Sequence, residues 1–497
     1  MRRIGLLGLA AAMAALGQDY TAITPAGLAS HVEFLASDAL GGRDTPSPGL
    51  DAAAAYLHAQ FRRIGLETPG GAASYYQTAN WRYRQTPLDE VRFSFKGEGA
   101  ELSYTGNRFR IYQNGAVAAE NAPVYKLAFD SLEELKTLKD GALEGKIALG
   151  IFPGPAELRK MAADERRKFF GRSRDFAAEI GRLRPEAVLS VMPRAGGTAS
   201  ADGELIGADK PPARLAQRPF TRVFSDELVA AWKAMPFGDT KAVASLKIPE
   251  PVEQNIALHN VIGVLPGSDP VLRDSYVIVS AHYDHIGRGG DGADSIFNGA
   301  NDDASGTASL LGIAEALARS PRPKRSVVFL ALFGEEKGLL GAYYYARNPA
   351  FPVDKTVGNI NLEHLGRTDD SEGARVNGVS VTGYDFSNLP AHMGEAAKTF
   401  GVSLTKHPEH SDDFFARSDN LAFAEVGIPA HTFCVAFEFP DYHGLRDHWD
   451  KLDYENMTNV TRALAAGIVA VADDAQAPAW DKDNPRTEKY RTSKKTE

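Results

Sequence analysis

Cysteine occurs once in this chain, at Cys434, so no intrachain disulfide can form, and the position excludes an N-terminal lipid-modified cysteine. The apolar stretch around it, Thr432-Phe-Cys-Val-Ala-Phe437, makes Cys434 a core residue and not a nucleophile. Positive charge is outnumbered, with 55 Lys and Arg against 64 Asp and Glu. The formal net charge is −9 and there is no dense basic run, which argues against nucleic acid as a partner. No apolar run reaches the ~20 residues that a spanning helix needs. Ile4–Leu16 is shorter. It follows Arg2 and Arg3, and Ala15 and Gly17 are small residues spaced for cleavage before Gln18. Met1–Gly17 therefore reads as a secretory signal, and the mature protein as secreted or periplasmic without stable membrane insertion. Cleavage removes two positive charges, Arg2 and Arg3, and takes the net charge from −9 to −11. No internal repeat is visible.

What is present is a chain of 497 residues, 43% hydrophobic, long enough for two or three domains with a sizeable core. Residues 18–85 read as helical: Leu28, Val32 and Leu35, then Ala52, Tyr56 and Ala59, approximate helical spacing. A Gly- and Pro-rich loop, Gly41–Gly49, separates the two helices. Residues 86–250 change character, with short alternating strands such as Val91–Phe95 and Ala100–Tyr104 and a charged helical stretch, Glu157–Arg182. This reads as an inserted smaller α+β domain. Residues 251–475 alternate strands (Tyr276–Ala281, Ser326–Phe333, Val357–Leu362, Pro429–Phe437) with helices (Ser305–Arg319, Asn456–Ala475). That pattern predicts an α/β fold, a mixed, mostly parallel sheet flanked by helices. The tail, 476–497, is polar and is expected to fray.

Metal-binding residue types fall at chosen places in the third region. His282 follows one predicted strand, Glu335-Glu336 a second, and Glu363 a third; sites in open α/β sheets collect at such carboxyl ends. Asp302 sits in a loop before a helix, where Gly299 and Gly306 permit a tight turn. His443 follows downstream. Each alone has an ordinary explanation: a helix cap for Asp302 or Asp303, a solvated helix start for the glutamates, a structural role for the histidines. Together, two histidines and three carboxylates suit a pair of divalent ions, with a spare glutamate as a general base for metal-assisted hydrolysis. Mixed nitrogen and oxygen ligation favours two Zn2+, with Co2+ or Mn2+ able to substitute.

These stretches resemble the secreted zinc aminopeptidases of peptidase family M28. The resemblance rests on Asn260-Val-Ile-Gly-Val-Leu-Pro-Gly-Ser268, His282-Tyr-Asp-His-Ile-Gly287, Asn298-Gly-Ala-Asn-Asp-Asp-Ala-Ser-Gly306 and Gly334-Glu-Glu-Lys-Gly-Leu-Leu-Gly341. It extends to Arg417-Ser-Asp419, Gly427-Ile-Pro429, Tyr442-His443, Asp450-Lys-Leu-Asp453 and, near the start, Phe34–Arg43. Residues 86–250 resemble, more weakly, the protease-associated domain often inserted in such enzymes. The resemblance implies that Asp302 bridges two ions, that His282 and Glu363 complete one site, and that Glu336 and His443 complete the other. It further implies Glu335 as the base acting on a water between the ions, Asp284 as the group orienting His282, and Tyr442 as an oxyanion partner. Arg417 and Asp419 would line the substrate pocket. One departure is visible: Asn361-Leu-Glu-His364 stands where the family usually has Asn-Leu-Asp-Met, so the ligand is one methylene longer and His364 replaces an apolar residue.

The reading is thus a di-zinc exopeptidase acting on the N-terminal bond of peptides. Three alternatives stay open on sequence: a metallo-carboxypeptidase of glutamate carboxypeptidase type, a one-ion glutaminyl cyclase, and a non-enzymatic binding protein, which would have lost ligands.

Overall fold

The structure, a computed structural model, describes residues 17–97, 99–111, 115–153, 161–194, 199–207, 220–289, 294–371 and 373–491. Apart from Gly17, the expected leader lies outside the described residues. Among those residues, no helix is long and apolar enough to cross a membrane. The chain divides into two compact units. One takes in the chain up to Ala79, Leu258–Arg288 and the chain from Ile296 on; the other is Asn80–Ala257 with Gly289–Ser295.

The first unit is built on a mixed sheet. Its strands are β1 (Val252–Leu265), β2 (Tyr276–His282), β3 (Ser326–Leu332), β4 (Thr356–Leu362), β5 (Gly378–Val381), β6 (Ser403–Thr405) and β7 (Ala430–Cys434). They lie in the order β6-β5-β7-β4-β2-β3-β1. The pairs β3-β2, β2-β4 and β4-β7 are parallel, while β1 and β5 run antiparallel to their neighbours β3 and β7. Strands β3 and β7 are buried at every residue, and β2 and β4 at all but one, as expected of central parallel strands covered on both faces. Because β2, β3, β4 and β7 point the same way, their carboxyl ends form one edge, and the functional loops start there.

Helices flank this sheet. Two near the N-terminus, α1 (Pro25–Leu35) and α2 (Pro48–Ile64), start at Thr24 and Ser47, whose hydroxyls accept from Gly27 N and Leu50 N, each followed by proline at the first helical position. On α2, Leu50, Ala53, Ala54, Leu57 and Phe61 are buried at helical spacing. The helix α3 (Ser305–Ala318) is buried almost all round; it packs against β2, α1 and the closing helix Tyr454–Asp473. A short helix, Leu340–Arg347, contributes Ala342, Tyr345 and Ala346 to a core with Ile278, Val328, Leu330 and Leu332.

The second unit has its own mixed sheet, including Arg92–Gly97, Val117–Ala128, Ile147–Ile151, Ala187–Met192 and Gly238–Ile248, and its own core around Phe93, Phe95, Phe109, Leu189 and Leu246.

Two expectations for the ends of the first unit need correction. Residues 18–85 are not helical throughout: Tyr76–Gln85 is a ten-residue strand, rich in Tyr, Trp and Thr, that lies beside β1. Nor does the tail fray from 476. Trp480 and Tyr490 are buried and stacked, and the Trp480 indole donates to Gly427 O at 2.9 Å. Two aromatics in a polar segment anchor it where charge content alone suggested solvent.

Candidate metal centre

The carboxyl edge of the sheet gathers the ligand candidates. His282 ends β2 and is 1% exposed. Phe333 and Gly334 lead from β3 into Glu335 and Glu336, Glu363 follows β4 directly, and His443 lies in the loop after β7. Asp302 comes from the turn Ala300–Ala304 that leads into α3. Two groups result, each with its ligand atoms within 4.8 Å of one another: His282, Asp302 and Glu363, and His285, Asp302, Glu336 and His443.

Asp302 is the shared member. Its Oδ1 lies 3.4 Å from His282 Nε2, and its Oδ2 lies 3.1 Å from His443 Nε2. His443 Nε2 is 3.2 Å from Glu336 Oε1. These atoms are buried and lack ordinary partners: His282 Nε2, Glu336 Oε1, His364 Nε2 and both ring nitrogens of His285 make no hydrogen bond. Unpaired buried polar atoms are costly, so five concentrated in one spot mark a place built for a cation. Imidazole and carboxylate together are a donor set that zinc accepts.

The loops that carry these groups are held by charge. Arg43 is fully buried. Its guanidinium donates to Tyr283 O at 2.8 Å, Asn298 O at 2.7 Å, Gly299 O at 2.9 Å, and also to Leu35 O. From the other side, the Asp447 carboxylate accepts from Asn301 N at 3.0 Å and Asp302 N at 3.2 Å. Asn301 Oδ1 in turn accepts from Gly366 N and Arg367 N. Gly299 is required for space: a Cβ there would meet His285 Cγ at 2.5 Å and Asp302 O at 2.3 Å. Asp303, the alternative to Asp302, does the capping instead, its Oδ1 accepting from Gly306 N at 3.0 Å and His364 N at 3.2 Å.

Asp284 is fully buried. It takes Glu335 N on Oδ1 at 3.1 Å and the Thr45 hydroxyl on Oδ2 at 3.1 Å. Its carboxylate is 3.6 Å from His282 Nδ1, and its backbone carbonyl is closer, at 3.2 Å. Orientation of His282 therefore draws on both oxygens of one residue.

The electrostatics separate the two adjacent glutamates. Burial and Asp302 raise the Glu336 carboxyl, but the imidazoles of His285 and His443 outweigh them and bring it to about 2. Glu335 goes the other way. Burial, together with Glu363, Asp419 and Glu336, pushes it well above the usual carboxylate range despite His282. Burial and neighbouring acids thus disfavour charge on Glu335, while the imidazoles around Glu336 favour it there. For His443, burial opposes charge, yet Asp302 and Glu336 raise it to about 10.

Glu335, Glu336, Asp302, Glu363 and His443 line an open cavity of about 490 Å3. Tyr442 lines it too, stacked on His443 with ring centroids 4.1 Å apart. Arg417 is on the wall, its guanidinium 4.3 Å over the Phe414 ring. Asp419, expected there, is a correction. It is fully buried before the helix Asn420–Glu425, off the cavity wall, and neither carboxylate oxygen has a hydrogen bond. Burial raises it to about 8. The residue beside it, Ser418, takes the place on the wall. Cys434 is buried as expected, though it also borders the cavity.

One histidine went unassigned in the sequence: His285, which stands in the same motif as His282. His364, singled out there as a departure, brings its Nε2 to 3.5 Å from Asp302 Oδ1. The only signal was an imidazole where a ligand-bearing loop has no need of one.

The sheet, its loaded carboxyl edge and the shared carboxylate define a zinc-exopeptidase-like α/β fold. Residues 260–468 match the model of peptidase family M28. A zinc aminopeptidase from Bacillus subtilis superposes with a TM-score of 0.57 at 19% identity, covering 92% of this chain and 97% of that one. An aminopeptidase from an Aneurinibacillus strain gives 0.54 at 19%, covering 93% and 96%. In sequence, a vacuolar membrane protease of Candida albicans is 27% identical over 44% of this chain and 24% of its own length. A probable zinc metalloprotease of Leptosphaeria maculans is 35% identical over 26% of this chain and 28% of its own length. The chain thus spans only about a quarter of the length of the curated relatives it matches.

Proposed function

We propose that this protein is an exported zinc exopeptidase that removes residues from the amino end of peptides. The observation that carries the reading is the pair of ligand groups sharing Asp302, with Glu335 beside them in the cavity but in neither group. His282, Asp302 and Glu363 would hold one ion, and Asp302, Glu336 and His443 the other. Two such ions supply Lewis acidity for the scissile carbonyl and lower the pKa of water.

The chain's own residues do the rest. Glu335, raised by burial and by neighbouring acids, accepts the proton of the attacking water and returns it to the leaving amine. Asp284 fixes His282, and through Glu335 N it also fixes the base. Tyr442, on the cavity wall, would donate its hydroxyl to a developing oxyanion. Arg417 and Phe414 form an outer wall for the peptide. The second unit fits the role of a protease-associated-like insert.

A cationic wall residue is also what a carboxypeptidase would use on a C-terminal carboxylate, so Arg417 keeps that reading in play. One peptide panel decides. Cleavage of free-amine and C-amidated peptides, lost on N-blocking, is the expected result. Cleavage lost on C-amidation instead would replace the aminopeptidase reading with the carboxypeptidase one. Cyclisation of N-terminal glutamine with one ion per chain would replace both.

A further inference from the structure

The two ligand groups are not equivalent. One has three residues; the other has a fourth, His285. We propose that His285 is a protein ligand, so that one ion is closed off by four side chains while the other keeps an open position. The proposal rests on the reading that the cluster binds divalent ions, and it adds which of the two is held tightly and which is exposed to chemistry.

Geometry makes the argument. A tetrahedral zinc with bonds of ~2.0–2.1 Å has ligand atoms about 3.3 Å apart along each edge. Around the second group four separations bracket that value. His285 Nδ1 is 2.9 Å from Glu336 Oε1 and 3.7 Å from Asp302 Oδ2, and His443 Nε2 is 3.2 Å and 3.1 Å from the same two atoms. All four donor atoms lie within 4.8 Å of one another, close enough to share one ion.

His285 has no better employment. It is fully buried, and neither ring nitrogen makes a hydrogen bond. Its approach to Glu336 Oε1 is close, yet both atoms remain without a hydrogen-bond partner. Its ring packs against Gly299, the residue where any Cβ would strike it, so the turn carrying Asp302 is shaped around the imidazole. His285 does not line the cavity, whereas Asp302, Glu336 and His443 do. The fourth ligand therefore arrives from the interior side, without narrowing the space a substrate enters.

Zinc sites with four protein ligands are closed, and those with three keep a position for water or substrate. The ion at Asp302, Glu336, His443 and His285 would load first and leave last. The ion at His282, Asp302 and Glu363 would be the exchangeable one, with three protein ligands instead of four. His364 Nε2, 3.5 Å from Asp302 Oδ1 and 3.8 Å from Glu363 Oε1, borders this second group without joining it.

The test is X-ray absorption at the zinc edge on the full-length wild-type protein loaded with one equivalent of zinc, alongside calorimetric titration with zinc. Two imidazoles at ~2.0–2.1 Å around the first ion are expected. A single imidazole there overturns the assignment and makes His285 an outer partner of Glu336. In H285A, and in H285Q as the variant that keeps the volume, affinity for the first ion should fall by more than the ~10–100-fold that losing an outer partner costs. Affinity for the second ion should change little. A fall within tenfold in both variants also overturns it. Failure beneath the proposal looks different: wild type taking up no zinc removes the metal reading itself, whatever His285 does.

Discussion

Arg43 offers the most exacting test of how the site is held. Replacing it with methionine keeps much of the stem and deletes the guanidinium. Four backbone carbonyls, those of Leu35, Tyr283, Asn298 and Gly299, then lose this donor in a buried place, and only Gly299 O keeps another, Ala304 N at 3.2 Å. Each orphaned carbonyl costs about 1 kcal/mol or more, which sums to roughly 3 kcal/mol for three. Against this stands relief from burying a charge, since burial pulls the Arg43 guanidinium down to about 10 despite Asp284, Asp302, Asp447 and Asp303. Removing one partner of a buried charged network costs about 3–5 kcal/mol overall, so the two estimates agree. Lysine is not a conservative substitute, because a single ammonium cannot reach Tyr283 O and the Asn298–Gly299 carbonyls in the same fork. Urea denaturation of the metal-stripped protein should show R43M destabilised by about 3–5 kcal/mol and R43K in between. Zinc titration of the folded protein should show weakened binding at both sites, because the loops carrying His282 and Asp302 both hang on this residue. If R43M unfolds within about 1 kcal/mol of wild type and binds zinc as tightly, the clamp is not what positions the ligands.

Three further outcomes follow from the same geometry. Glu335→Gln should cut turnover by ~10²–10⁴ with metal content near normal, while Glu336→Gln should lose metal; the reverse pattern in metal analysis would exchange their roles. Glu363→Ala should empty the three-ligand site and leave about one ion bound, with Glu363→Asp partly weakened, since ligand distances tolerate only ~0.2 Å. Two ions retained in Glu363→Ala but lost in His364→Ala would make His364 the ligand. Away from the site, His431 is fully buried between Ser387 Oγ and Thr382 O, and burial lowers it to about 4 from 6.5. A histidine kept neutral in the fold contributes stability that is present above pH 6.5 and lost as the pH falls toward 4. The loss amounts to about 3 kcal/mol by pH 4. Urea midpoints compared at pH 7 and pH 4.5 should show a shallower acid loss in His431→Gln than in wild type, and equal losses would refute the assignment.

Much of this was readable in advance, and the reason is local. His282, Glu335 and Glu363 each follow a short segment that folds as a buried strand, and the edge of a parallel sheet gathers whatever follows its strands. What could not be read depended on how loops fold back. His285 is three residues past His282, and nothing in that spacing says that both rings face Asp302 from opposite sides. Asp419 sits in a motif that suggested the pocket, but it is fully buried off the cavity, and the neighbouring Ser418, itself buried, borders it instead. Tyr76–Gln85 was misjudged as helical because a strand against β1 is decided by residues nearly two hundred positions later. Trp480 and Tyr490 anchor a tail whose charge content pointed outward.

The discontinuity of the first unit has a consequence for how the protein comes to exist. Arg43 bonds to residues 240 to 256 positions further along the chain. At synthesis rates of roughly 5–20 residues per second, those partners are made about 10–50 s after Arg43 itself. Throughout that interval Val32, Leu35, Leu57 and Phe61, all buried in the finished protein, have no sheet to cover them. The residues of the second unit appear in between and carry a core of their own. This early segment thus settles only once partners made far later exist, and until then its apolar helix faces stay uncovered by the sheet.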